Sequence, residues 1–292
     1  MNTHTIKSIL PAGVLALAVL APLYGSSITT TIYSDDFNRS GNLGGSSPVI
    51  GPEAPSWATN ASWISSSNLT IDGSKVAVPE KPGDGGTTAS SNAYLPANIT
   101  VNSGIYELTI TYAAIWGGAN SWVAFGFATS SAGTDAAFFN NAIGMTAYSR
   151  GNDNWTTPAS ITTYANQASN SIGSISGVNR AGSTPLTVKI TLDTYATTNN
   201  LTVTTLNAST AEGNPAVRSL VGTLTSDQIN SIQTIKIGAY QGQAGSFDNL
   251  SFTVTVTTPV PEPAVSVIVT GALVSIFWIL RRSSLRATGK TS

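Results

Sequence analysis

Apolar and polar side chains alternate with a period of two through much of this chain. In 105–112, Tyr106, Leu108, Ile110 and Tyr112 share one face and Glu107, Thr109 and Thr111 the other, the pattern of a half-buried strand. Leu186, Val188, Ile190 and Leu192 alternate in the same way with Thr187, Lys189 and Thr191, and Leu250, Phe252, Val254 and Val256 with Ser251, Thr253 and Thr255. Further strands are predicted at 28–37, 122–127, 143–148, 201–206 and 235–240, where β-branched and aromatic residues gather. Asp72-Gly73 predicts a hairpin turn between Leu69 and Val78. Trp57 and Trp63 are expected to frame a short irregular strand, with 38–42 as a turn. Asn199-Asn200 suits a turn with positive φ. Thr225-Ser226-Asp227-Gln228 has the form of a capping box opening a short helix. The polar stretch 150–182 is expected to be long loops with one short strand. Many short strands and almost no helix predict an antiparallel two-sheet sandwich.

Composition narrows the chemistry. Only 9% of the 292 residues are charged, with 13 Lys and Arg against 14 Asp and Glu. Ser, Thr, Asn and Gly take the surface roles. There is no cysteine, and the one histidine is His4. Beyond the first few residues the chain therefore lacks the parts for a cysteine nucleophile, a Ser-His-Asp triad or the usual zinc site. Basic residues are scattered, and no basic stripe exists to displace counterions, so nucleic acid is not an expected partner.

Both ends differ from the middle. Lys7 followed by the apolar run 9–20 and small residues near 25–27 predicts a signal peptide over 1–27. Residues 28–257 then form the exported domain. Near the other end, 258–263 is a linker carrying Val260, Pro261, Glu262 and Pro263, and 264–280 is an uncharged apolar run. As a helix that run is roughly 25 Å long, enough for a short membrane span. Arg281, Arg282 and Arg286 lie in the basic tail 281–292, and the positive-inside rule puts that tail in the cytoplasm and the domain outside.

The order Pro-Glu-Pro, short apolar helix, arginine cluster resembles the PEP-CTERM sorting signal. That resemblance covers 260–292. It implies an exosortase-type processing enzyme as partner, a temporary inner-membrane anchor, and final residence at the cell surface or in the extracellular matrix. Across about 30–256, Asp35-Asp36-Phe37 in an opening strand, Ser246-Phe247-Asp248-Asn249-Leu250-Ser251-Phe252 in a closing one, and Trp63, Tyr106-x-Leu108 and Trp122-x-x-Phe125 between them resemble the concanavalin A-like jelly roll of legume lectins, laminin-G-like modules and bacterial glucanases. The resemblance implies that the first and last strands pair. The expected fold class is thus an all-β jelly-roll sandwich with a signal peptide and one C-terminal transmembrane helix.

Glucanases of that fold carry Glu-x-Asp-x-x-Glu on one strand, which alternation turns toward a cleft. No such triplet exists here. Glu53, Glu80, Glu107 and Glu212 are isolated from one another. For binding, exposed aromatics beside amides and carboxylates suit sugars. The candidates are Trp155 with Asp153, Asn152 and Arg150 on one loop, and Trp116 on another. Trp57, Trp63 and Trp122 are expected in the core. No cofactor is implied except a structural Ca²⁺, for which Asp36 and Asp248 are the candidate ligands, with Asp35 and Asn249 beside them. The reading is an exported, non-catalytic, carbohydrate-binding protein associated with exopolysaccharide. A purely structural or adhesive matrix protein is the alternative, and a glycoside hydrolase the third.

Overall fold

The computed structural model describes residues 26–65, 69–78, 91–116, 122–129, 142–149, 159–166, 170–178, 185–206, 218–240 and 244–257. The signal-peptide run 1–25, the Pro-Glu-Pro segment, the apolar run 264–280 and the basic tail lie outside them. Among the described residues no helix is long and apolar enough to cross a membrane. The strands are β1 (Ser27–Asp35), β2 (Ser40–Asn42), β3 (Val49–Ile50), β4 (Ile64–Ser65), β5 (Thr70–Asp72), β6 (Val76–Val78), β7 (Ser91–Pro96), β8 (Ile105–Trp116) and β9 (Trp122–Ala128). They continue with β10 (Ala142–Ser149), β11 (Ala159–Asn166), β12 (Asn170–Val178), β13 (Leu186–Asp193), β14 (Leu201–Thr205), β15 (Arg218–Gly222), β16 (Thr234–Tyr240) and β17 (Ala244–Thr257). One short helix, α1 (Ser226–Asn230), precedes β16, and Thr225 and Gln228 cap it reciprocally as the capping box requires.

Among the described residues the strands form two sheets. The larger has ten strands in the order β15-β14-β13-β8-β17-β6-β5-β2, with β1 pairing to β17 and β3. The smaller has seven, ordered β12-β11-β10-β9-β16-β7-β4. Opening and closing strands pair, and the Thr29 and Thr255 hydroxyls meet at 2.8 Å across that seam. Ile28–Val256 is one compact unit.

The alternation read from the sequence sets what each sheet buries. Tyr106, Leu108, Ile110 and Tyr112 turn inward from β8, and Leu186, Val188, Ile190 and Leu192 from β13. From the smaller sheet, Val123, Phe125 and Phe127 on β9 and Ile235 and Ile237 on β16 face them. Aromatic rings join the layers: Tyr112 meets Phe125 edge-on at 5.4 Å and Phe127 meets Phe252 at 6.3 Å. In β17, Phe247 and Leu250 both point inward although they are three apart. A bulge between Asp248 and Ser251, with Asn249 at φ 51°, resets the phase.

Several expectations need correction. The stretch 150–182 holds two strands, β11 and β12, of 8 and 9 residues. Their inward positions include Thr163, paired to Thr146 in the core at 3.4 Å, and Gly173, which leaves room for Leu220. Polar and small residues therefore stand where an apolar alternation was sought. Strands β7 and β15 were not expected. The region between Trp57 and Trp63 is a 3-10 turn (Ser56–Ala58) followed by β4, and 38–42 contains β2. Strand β1 ends at Asp35, because Phe37 takes φ 51° and turns the chain back into the core.

Asp35, named beside the calcium candidates Asp36 and Asp248, has another role. It is buried, and its carboxylate is already engaged. One oxygen accepts from the Phe37 N–H at 2.9 Å and Arg39 Nη1 at 2.6 Å, the other from Arg39 Nη2 at 2.8 Å and the Trp63 indole N–H at 2.8 Å. Nothing of it is left for a cation. Asp35→Ala removes the acceptor that Trp63 and Arg39 share, so it is expected to cost about 3 kcal/mol. A thermal melt falling by roughly 10 °C checks this.

Candidate functional site

The residues proposed from the sequence divide into two groups. Arg150, Asn152, Asp153 and Trp155 lie outside the described residues, as do Val260–Pro263 and Arg281, Arg282 and Arg286. Trp116 ends β8, its backbone opposite Ala244 of β17. The calcium candidates are described. Pairing of the end strands brings Asp36 and Asp248 close enough to interact. Burial raises the Asp248 carboxyl above its usual value, and the charge of Asp36 adds to this, while the Asn249 N–H and Lys75 oppose it. Asn249 donates to both Asp248 oxygens, at 2.7 Å and 2.8 Å. Two carboxylates supply only part of the six to eight oxygens, roughly, that Ca²⁺ takes. Among the described residues no group of three acidic, His or Cys side chains gathers for a metal.

A groove that the sequence did not announce lies between the terminal strands of the two sheets. It is an open cavity of about 450 Å³ lined by Asn42, Gly44, Gly45, Ser62, Trp63, Ile64 and Ser65. Asn42 ends β2 and Ile64-Ser65 is β4, the last strands of the larger and smaller sheets. Two backbone bonds fasten the walls: the Gly45 N–H donates to the Trp63 carbonyl at 2.8 Å, and the Trp63 N–H to the Ser46 carbonyl at 2.8 Å. Gly45 holds φ 82°, a left-handed conformation that favours glycine. Trp63 cannot swing, since its indole N–H is bound by Asp35 and its ring packs at 6.0 Å on Phe37. The groove is therefore shaped before any ligand arrives. Its polar groups are an amide, two hydroxyls and backbone, with exposed Ile64 as an apolar wall. Among the described residues no ionisable side chain lines it. The sequence signal was faint: Ser62 and Trp63 fall in or beside the short irregular strand expected between Trp57 and Trp63, and only strand order brings them to Asn42.

A second unforeseen feature is Lys236. On β16 it points away from the core, opposite Tyr94 of β7 and Gly126 of β9. It is nevertheless only 1% exposed, and buried Asn92 shares that face. Gly126 has no side chain, so the lysine stem can lie flat across β9. Burial pushes the ammonium down to about 8 from 10.5.

No protein-family model matches the chain. No curated protein matches it either. Among solved structures, it is similar to the carbohydrate recognition domain of Emp47p, at 12% identity and a TM-score of 0.43 over 78% of this chain and 98% of that one. It is similar to the VIP36 exoplasmic/lumenal domain in its Ca²⁺/Man2-bound form, at 10% identity and 0.44 over 69% and 84%. Lectin II from Ulex europaeus gives 14% identity and 0.45 over 75% and 98%. No residue role is carried across these likenesses.

For Lys236 the folded value lies below the unfolded one. The folded chain thus binds fewer protons between about 8 and 10.5, and stability rises with pH across that window. Lys236→Met is expected to abolish this rise, as read by denaturant unfolding at a series of pH values.

Proposed function

We propose that this chain is an exported protein of the cell surface or extracellular matrix whose sandwich domain binds neutral carbohydrate without catalysis. The single observation that carries the binding reading is the groove between β2 and β4. Its volume of about 450 Å³ falls in the range of small-ligand sites. Amide, hydroxyl and backbone groups beside an apolar wall suit a sugar, which offers hydroxyls on its rim and C–H groups on its faces. Among the described lining residues there is no carboxylate or cation, which argues for a neutral ligand and against acid–base chemistry there. Glu107 is not a counter-example, because it lies on the outer face of β8 and pairs with Lys189 at 2.7 Å. The Trp155 loop, with Arg150, Asn152 and Asp153, and Trp116 remain proposed as further contacts. Asp36 and Asp248 remain proposed as partial ligands of a structural Ca²⁺.

Sorting rests on the two ends of the sequence. In this reading the signal peptide exports the chain, 264–280 holds it in the inner membrane, and an exosortase-type enzyme recognises Val260–Pro263 before release to the surface. The alternative of a structural matrix protein is favoured by one fact. Among the described tryptophan side chains, Trp63 is buried and Trp57 half-buried, so neither offers an open stacking platform.

A glycan array of the purified protein tests the binding reading. Retention of neutral glycans is expected, weakened about fivefold by Asn42→Ala through loss of one hydrogen-bonding group. No retained glycan at all, with Asn42→Ala and Trp155→Ala unchanged from wild type, selects the structural reading. For sorting, alanines at Pro261, Glu262 and Pro263 are expected to leave full-length protein in the inner-membrane fraction. Unaltered processing and display of that variant would contradict the assignment.

A further inference from the structure

The outer face of the larger sheet carries a grid that the groove does not use. Strand register aligns Ser219, Thr204, Lys189, Thr109 and Ser251 in one row across β15, β14, β13, β8 and β17. A second row, Val221, Thr202, Thr191, Glu107 and Thr253, runs beside it. Neighbouring positions within a row are about 4.8 Å apart, and the rows about 6.8 Å apart along the strands. All these side chains are half-buried or exposed.

Threonine on a solvent-facing strand is ordinary, since its β-branch favours extended backbone. Two features go beyond that. First, in the first row the Thr204 and Ser219 hydroxyls are fastened together at 3.0 Å, and beside the two rows Thr111 and Thr187 pair in the same way at 2.8 Å. Their rotamers are set in advance, which lowers the entropy lost on binding. Second, the charges of the two rows cancel. Lys189 meets Glu107 at 2.7 Å, and Thr191 donates to the same carboxylate oxygen at 3.3 Å. The result is a pair of rows with no net charge and a hydroxyl at seven of their ten positions.

We propose that this face seats an extended neutral polysaccharide lying across the strands, one sugar per strand. The rung spacing is close to the length of one pyranose unit, so successive sugars along the first row meet the hydroxyls of Ser219, Thr204, Thr109 and Ser251, with the paired Lys189 at the middle rung. Neutrality of the face matches an uncharged polymer and offers an anionic one nothing to pair with. The proposal rests on the carbohydrate-binding reading and adds a second, longer subsite to it. The groove, at about 450 Å³, holds roughly one or two sugars by volume. The face spans the strands of a whole row.

Chain length separates the two sites. Full-length protein in detergent is titrated with size-fractionated neutral ladders of cello-, laminari-, xylo-, manno- and chito-oligosaccharides by calorimetry. Affinity is expected to climb with length up to about five sugars, one for each strand of the row. The triple variant Thr109→Val, Thr202→Val, Thr204→Val removes hydroxyls while keeping shape and β-propensity. It is expected to weaken the pentasaccharide about tenfold and leave the disaccharide unchanged, with an unaltered melt as the folding control. Asn42→Ala has the opposite profile, weakening the disaccharide and leaving the pentasaccharide's added affinity in place. Affinity that stops rising at two sugars, or a triple variant that binds the pentasaccharide like wild type, overturns the face while leaving the groove. Binding of no ladder overturns both. A length dependence lost together with a change in oligomeric state assigns the face to a second copy of the chain and overturns the polysaccharide.

Discussion

Burial of one apolar face from each sheet against the other is the constraint on which this structure depends. The chain has no disulfide and only 9% charged residues, so neither covalent staples nor ion-pair networks can hold the layers. Of the ion pairs among the described residues, Lys189–Glu107 is an open surface contact of small value. The rings of Tyr112, Phe125, Phe127 and Phe252 instead cross the interface, and each buries a large apolar area in edge-on or tilted contact. At two positions glycine makes room for a side chain that reaches over it. A Cβ at Gly245 would lie 2.6 Å from Val123, and one at Gly173 2.8 Å from Leu220.

The Asp35 cluster sits where that layering ends. Beyond β1 the chain must leave the sheet, return Phe37 to the core and rise to the other sheet at β4. A buried carboxylate does this by gathering donors from Phe37, Arg39 and Trp63. It thereby joins the opening strand to the wall of the groove. The same residues that close the core thus shape the candidate binding surface, and this is why the groove is rigid although its lining is largely glycine and serine.

Legibility followed the phase of the alternation. β8, β13 and β17 could be read because their inward positions are Leu, Ile, Val, Phe and Tyr at every second residue. β11 and β12 could not, since their inward positions include Thr163 and Gly173, which carry no apolar signal. Thr163 is tolerated there by its neighbour Thr146, and Gly173 by Leu220 reaching across from β15. Both compensations come from residues distant in sequence. The turns at Gly73 and Asn199, both at positive φ, and the cap at Thr225 were legible, because each is set within four residues. Of the candidate chemistry, the approach of Asp36 to Asp248 was foreseen from the pairing of the end strands. The groove and the burial of Lys236 were not.

The sequence by itself determined what depends on local chemistry: the all-β class, the inward faces of the long strands, and a chain with no cysteine and a single histidine, His4. Tertiary structure decided what depends on strand order. It placed β2 and β4 at the ends of their sheets with an uncharged groove between them, committed Asp35 to Arg39 and Trp63, and lined up threonines from separate strands into rows. Alternation tells each strand which side to bury. Only the hydrogen-bonded register between strands fixes which outward residues stand side by side, and that register is set by contacts between segments far apart in the chain.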